Sequence, residues 1–187
     1  MIDFIIPTYD RIDALRSMLS SLIVQTSNEW RATVIVDGKN DEVGKLIDSL
    51  NHPNIRKIST LERYNDWGHT PREIGKQQSD CDYIIMTGDD NYYIPTTVKE
   101  ITRTIRMYHP DIIYWDMIHS HYGYSYFKCE LRTHRIDMGS FCTISSIAKQ
   151  IKLGTNFAAD GDFIETFRKR FPDAKKYKIN KVLFVHN

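Results

Sequence analysis

The feature that most limits what this chain can fold into is an alternation. Short apolar runs closed by proline, glycine or acids take turns with longer stretches whose apolar residues recur every three or four positions. Ile2–Ile6, closed by Pro7, is the first such run, and a short, largely apolar run suits a buried strand. Asp10 can cap a helix after it, and Ile12, Leu15, Leu19, Leu22 and Ile23 mark one face of that helix over residues 11–25. Ala32–Val36, Ile55–Ser59, Tyr83–Thr87 and Ile112–Trp115 repeat the strand pattern. Val43, Leu46, Ile47 and Leu50 repeat the helical one, as do Val98, Ile101, Ile105 and Tyr108 after Pro95. Thr70-Pro71 reads as the N-cap and first residue of a short helix ending near Ser79. Strands alternating with helices predict βαβ units and a mostly parallel, Rossmann-like central sheet flanked by helices.

After Asp116 the rhythm changes. His119–Lys128 sets tyrosines around Gly123 and predicts a hairpin. Residues 138–144 predict a further strand, Asp162–Arg170 a helix and Lys181–Val185 a closing strand. The expected fold class is therefore α/β, with a small antiparallel lobe beside the main sheet. A chain of 187 residues suits one domain, with 1–110 as one half and 111–187 as the other. The chain stops at Asn187, directly after the last strand, which leaves room for further domains.

Composition removes several function classes. Lys plus Arg is 25 against 24 for Asp plus Glu, so the broad basic field needed for sequence-independent nucleic-acid binding is absent. No stretch reaches the roughly 18–20 apolar residues of a transmembrane segment. Asp3 and Pro7 interrupt the first apolar run, which argues against a signal peptide. Cys81, Cys129 and Cys142 are odd in number and lack metal-type spacing, so they read as reduced thiols in a cytoplasmic protein.

In open parallel sheets, ligands bind outside the carboxyl ends of the strands. Three such ends are informative here: Pro7-Thr8-Tyr9-Asp10-Arg11, Val36-Asp37-Gly38 and Thr87-Gly88-Asp89-Asp90-Asn91. Adjacent carboxylates are costly unless a cation neutralises them. Oxygen ligands of this kind suit Mg²⁺ or Mn²⁺ gripping a phosphate. Each piece also has a plain structural reading: Asp-Gly is a common turn, and Asp-Asp-Asn can cap a helix.

Together these segments resemble the family 2 glycosyltransferases of GT-A fold, with Asp89-Asp90-Asn91 similar to their DXD-type metal motif as it stands in bacterial spore-coat glycosyltransferases. The match in order and spacing covers roughly residues 1–110; Ile136-Asp137 and Gly161-Asp162 resemble later, weaker motifs. The resemblance implies a metal-dependent, inverting transfer of a sugar from a UDP-linked donor, UDP-glucose first among them, to a glycan or glycoprotein acceptor. It implies that Pro7, Thr8, Tyr9 and Arg11 line the nucleotide pocket, that Asp37 accepts the base N3–H, and that Asp89 faces the ribose. Asp90 would hold Mn²⁺ or Mg²⁺ with Asn91 and His186, Arg72 would touch the donor, and Asp162 would be the catalytic base, with Asp160 a near neighbour able to serve instead. Arg72 also sits in a helix's first turn, where free N–H groups attract anions.

Other features keep two readings. Tyr122, Tyr124 and Tyr126 either stabilise a hairpin or wall a sugar site, and Trp67 and Trp115 carry the same choice. His119 and His121 share one strand face. Two rival functions are a sugar nucleotidyltransferase and a non-catalytic carbohydrate-binding domain. The first predicts a glycine-rich loop after strand one, and residues 7–11 contain no glycine.

Overall fold

The computed structural model describes residues 1–156 and 158–187. Strands β1 (Ile2–Thr8), β2 (Trp30–Val36), β3 (Ile55–Ser59) and β4 (Tyr83–Met86) alternate with helices α1 (Ile12–Ile23), α2 (Asp41–Leu50) and α3 (His69–Gln78). They are followed by β5 (Tyr92–Tyr93), α4 (Thr97–Tyr108), β6 (Ile112–His119), β7 (Ser125–Phe127), β8 (Phe141–Ile144), α5 (Ser145–Ala148), α6 (Ala159–Arg170) and β9 (Lys176–His186). One sheet runs β3-β2-β1-β4-β8-β6-β9-β5, with β7 paired to β6. The first four strands are parallel. β8 runs antiparallel between β4 and β6, and β9 returns parallel to β6.

All seven residues of β1 are buried. Its neighbours β2 and β4 are covered from both sides, so Phe4, Ile6, Val34, Ile35 and Ile85 are fully enclosed. Each such side chain contributes about 1.5–3 kcal/mol by leaving water. Helix α3 lies unusually close to this layer because Gly75 has no side chain. A Cβ there would meet Ile5 Cγ2 at 2.5 Å. That close approach aims the N-terminal end of α3 at the carboxyl ends of β1 and β4.

Several boundaries differ from the sequence reading. The α1 N-cap is Arg11 rather than Asp10, with no side-chain cap. Thr70 is not the cap of α3. Gly68 holds that place at φ 78°, and Asp66 Oδ2 accepts from Thr70 N at 2.9 Å. α4 starts at Thr97, after Pro95. The predicted strand over 138–144 is a 3₁₀ turn at Met138–Ser140 followed by β8. The hairpin forms as β6 and β7, with Gly123 at φ 65° in its turn.

Candidate functional site: a two-chamber cleft

The carboxyl ends of β1, β2 and β4 open onto a cleft with two joined cavities. The first, of about 300 Å³, is lined by Pro7, Thr8, Tyr9 and Arg11 after β1, by Asp37 after β2, and by Arg72, Gly88 and Asp89. The second, of about 460 Å³, shares Arg11, Trp67, Arg72 and Gly88 with the first. Asp90, Asn91, Asp137, Asp160 and His186 wall its far side. Every sequence-predicted site residue except Asp162 therefore faces this one cleft.

At the near end Asp37 is buried and accepts twice, from Tyr64 N at 2.8 Å and Asn65 N at 3.0 Å. It thus pins the loop between β3 and α3 across the cavity mouth. In that loop the Arg63 guanidinium lies 3.5 Å from the Tyr9 ring centroid, a cation–π contact. Arg63 and Asn65 both line the cavity. Neither carried a sequence signal, because they lie in a polar loop without periodicity.

In the middle, Thr8 Oγ1 donates to Asp89 Oδ2 at 2.7 Å. Arg11 bridges both acids, at 2.6 Å to Asp89 Oδ1 and 2.5 Å to Asp90 Oδ2. Asp89 is 2% exposed in its side chain and Asp90 25%. Burial pushes the Asp89 carboxyl above its ordinary value, against the pull of Thr8 and Arg11. Arg72 reaches in from α3, its Nε donating to Thr87 O at 3.0 Å and its Nη1 to Trp67 O at 2.9 Å. Burial lowers its pKa, and the charges of Asp137, Asp89, Asp90 and Asp160 oppose that shift, with none of the four paired directly to the guanidinium.

At the far end Asp137 Oδ1 accepts from Gly139 N at 2.8 Å, and its Oδ2 lies 3.6 Å from His186 Nε2. His186 stacks near His119, with ring centroids 4.2 Å apart. Burial and His186 together push His119 down to about 4, which keeps it neutral. Asp160 takes a hydrogen bond from Gly161 N at 2.7 Å, and burial with Asp137 nearby raises its carboxyl to about 6.

Asp162, the expected base, does not reach the cleft. It is exposed and accepts from Asn156 Nδ2 at 2.8 Å. Helix α6 begins at Ala159, three residues before the sequence expectation. At about 100° per residue, two positions turn a side chain roughly 200° about the axis. Asp160 therefore faces the cavity and Asp162 faces away.

Among the described residues no three His, Cys, Asp or Glu side chains converge on a metal position. Asp90 and His186 nonetheless share one cavity wall, and a carboxylate with an imidazole is a donor set that fits Mn²⁺. Asn91, also expected as a ligand, is built into the frame. It is buried, its Oδ1 accepts from Asn187 N at 3.2 Å, and its Nδ2 donates to Thr87 Oγ1 at 3.3 Å.

The three cysteines are free and buried. Burial raises Cys81 to about 11 and Cys129 to about 12, so neither is a nucleophile near neutral pH. Among the described residues no helix is long and apolar enough to cross a membrane.

This geometry has counterparts. TarS of Staphylococcus aureus, a poly(ribitol-phosphate) beta-N-acetylglucosaminyltransferase, is 23% identical over 111 residues, 58% of this chain and 19% of the relative. An uncharacterized glycosyltransferase of Haemophilus influenzae is 25% identical over 118 residues, 59% of this chain and 38% of the relative. Residues 1–349 of TarS superpose with a TM-score of 0.82 at 16% identity, over 100% of this chain and 60% of that one. The same fragment with UDP-GlcNAc gives 0.81 at 16% identity, over 98% of this chain and 57% of that one. A mannosyltransferase of Pyrobaculum calidifontis, solved with GDP-Man and Mn²⁺, gives 0.74 at 12% identity over 99% and 56%. At these identities the superpositions show a shared GT-A fold, and the chain spans well under two thirds of each curated relative. The sequence profile described as glycosyl transferase family 2 matches residues 3–163, most of the chain, and the chain belongs to that family.

Proposed function

We propose that the cleft holds a nucleotide-diphosphate sugar, UDP-linked, and transfers its sugar with inversion to a hydroxyl of a glycan or similar acceptor. The observation that carries this reading is the continuity of the two cavities. A base-sized recess at Asp37 and Tyr9 leads past Arg11 and Arg72 to a chamber holding Asp90, His186 and Asp160. An elongated ligand with a base, two phosphates and a sugar matches that order. The solved relative with UDP-GlcNAc supports a UDP-linked donor.

In this reading Asp37 accepts the base N3–H, which selects uracil over cytosine. Arg72, fixed by Thr87 and Trp67 carbonyls, presents a charge to the diphosphate. Asp90 and His186 would hold Mn²⁺ or Mg²⁺, which when bound supplies charge neutralisation at the leaving diphosphate. With such an ion on Asp90, Arg11 would be free to turn from it to the phosphates. The catalytic base is Asp160 rather than Asp162. Its raised carboxyl is ionised at neutral pH yet basic enough to take a proton. The acceptor oxygen bonds to the sugar's anomeric carbon, its proton passes to Asp160, and the bond to UDP breaks with the electron pair leaving on the diphosphate.

The test is UDP release from UDP-sugar and Mn²⁺, by slow hydrolysis without acceptor, for wild type, Asp160→Asn and Asp162→Asn. Loss of the base should cost about 10²–10⁴-fold in turnover, with UDP affinity nearly unchanged. Asp162→Asn should stay within a few-fold. An active Asp160→Asn removes Asp160 from the mechanism. Tight UDP-sugar binding with no release in any form would instead favour a binding domain.

A further inference from the structure

The chain has three tryptophans. Trp30 and Trp115 are buried at 1% and 0% exposure, while Trp67 is 76% exposed. Trp67 also lines both cavities of the cleft, at the point where they join. We infer that Trp67 is a stacking platform for the donor's sugar, laying its indole against the apolar C–H face of the pyranose. The inference rests on the donor reading given above and adds to it a residue that decides how the sugar, not the nucleotide, is held.

An indole left in water at a loop tip would ordinarily swing freely. Here its backbone is fixed on every side. Trp67 sits at φ 55°, a conformation costly for a bulky side chain. Its carbonyl accepts from Arg72 Nη1 at 2.9 Å. The residue before it, Asp66, is tied to α3 through Thr70 N and through Thr70 Oγ1 at 2.6 Å. Asp37 pins Tyr64 and Asn65 just upstream. Gly68 follows at φ 78°, and a Cβ there would strike Pro7 at 2.7 Å. A strained, hydrogen-bonded backbone thus presents a large apolar ring to the cleft, and the ring stays outside the hydrophobic core.

Its position selects the part of the ligand. The base end is already served by Tyr9, Arg63 and Asp37, which line the first cavity and not the second. The far chamber holds mostly charged and polar groups: Asp90, Asn91, Asp137, Asp160 and His186. The acids and amides among them can bond a sugar's hydroxyls but offer no broad apolar face, and Met138, which also lines the chamber, is only 7% exposed. An indole supplies that surface, because the electron-rich ring face attracts the weakly positive C–H edge. Arg72 and Gly88 stand beside Trp67 at the junction, so the diphosphate and the first sugar atoms pass within its reach.

Fluorescence provides a direct test, since Trp67 alone of the three indoles meets solvent. Wild-type protein with Mn²⁺ is titrated with UDP, UDP-glucose and UDP-GlcNAc, followed by emission and by calorimetry. Both UDP-sugars should move the emission of the solvent-exposed indole, and UDP alone should move it far less. Trp67→Ala should bind the UDP-sugars about tenfold more weakly while its UDP affinity changes less than twofold. Trp67→Phe should recover most of the loss, and melting curves should match wild type because the side chain is exposed. Equal loss for UDP and UDP-sugar would overturn the assignment to the sugar. No loss for either would overturn the role of Trp67 altogether. Failure of wild type to bind UDP or UDP-sugar would remove the donor reading and this inference with it, and is distinguishable from both.

Discussion

Asp3 and Asp89 are carboxylates of near-zero exposure at opposite ends of one sheet, and they are held in opposite ways. Asp3, at the start of β1, accepts from Arg31 Nη2 at 2.7 Å, Thr33 Oγ1 at 2.7 Å and Ser79 Oγ at 2.7 Å. Arg56 adds a charge at 3.6 Å. All of these partners come from strands or the adjoining turn, and Arg31 is itself only 15% exposed. Asp89, beyond the end of β4, has the Thr8 hydroxyl and Arg11, whose side chain is 57% exposed. The contrast separates a charge built into the frame from one left for exchange. A buried acid whose chief counter-charge can move into water is open to a different cation.

The largest expected effect tests the frame. Asp3→Ala should lower unfolding free energy by about 3–5 kcal/mol in denaturant titrations, since it strands buried charge. Asp89→Asn should cost far less, because burial already disfavours the Asp89 charge and Arg11 can rejoin solvent. Equal losses would erase the distinction. Next in size is Asp90→Ala, which should weaken the Mn²⁺-dependent part of UDP binding by about 10–100-fold and leave the melting temperature near wild type. Calorimetry showing unchanged Mn²⁺ dependence would take Asp90 out of the metal site.

A smaller effect belongs to Asp37. Asp37→Ala should cost about 1–3 kcal/mol of UDP binding and narrow the preference over CDP. Loop protons at Tyr64 and Asn65 should exchange faster in the same variant, since both amides lose their acceptor. The last effect is in pH. The folded Asp160 carboxyl lies near 6 against an ordinary 3.8. Between those values the native state holds more protons than the unfolded chain, so stability falls as pH rises through that window. Asp160→Asn should flatten that slope in melts across about pH 4 to 6. A slope unchanged by the substitution would mean that Asp160 titrates normally.

The same division explains what could be read from residues alone. In the first half each βα unit ends an apolar run and delivers its functional side chain within a few positions, as with Val36-Asp37 and Met86 to Asp90. Local order there is also spatial order. In the second half the informative groups come from a 3₁₀ turn at Asp137, the second residue of α6 at Asp160, and the end of β9 at His186. These are far apart in sequence, and the Gly161-Asp162 resemblance points two residues past the acid that lines the cleft. β5 has two residues and leaves no periodic trace. The first part of β9, Lys176-Tyr177-Lys178-Ile179-Asn180, reads as polar because it is a partly open edge, where lysine is favoured.

The strand order has a bearing on how the protein opens. β8 joins the two halves of the sheet through only Tyr83↔Ile144 and Ile84↔Thr143 on one side and three positions of β6 on the other. β6 and β9, by contrast, pair at all eight positions of β6, across two register shifts on either side of Asp116. Separation between β4 and β8 breaks two ladder pairs, as few as between β5 and β9 and fewer than at the other strand interfaces, so it is a natural border between cooperative units. Thr87–Asn91 crosses that border, leaving β4 in one unit and entering β5, which pairs with β9 in the other. The acidic segment is therefore also a tether, and cation or nucleotide binding on it should slow amide exchange in both units at once.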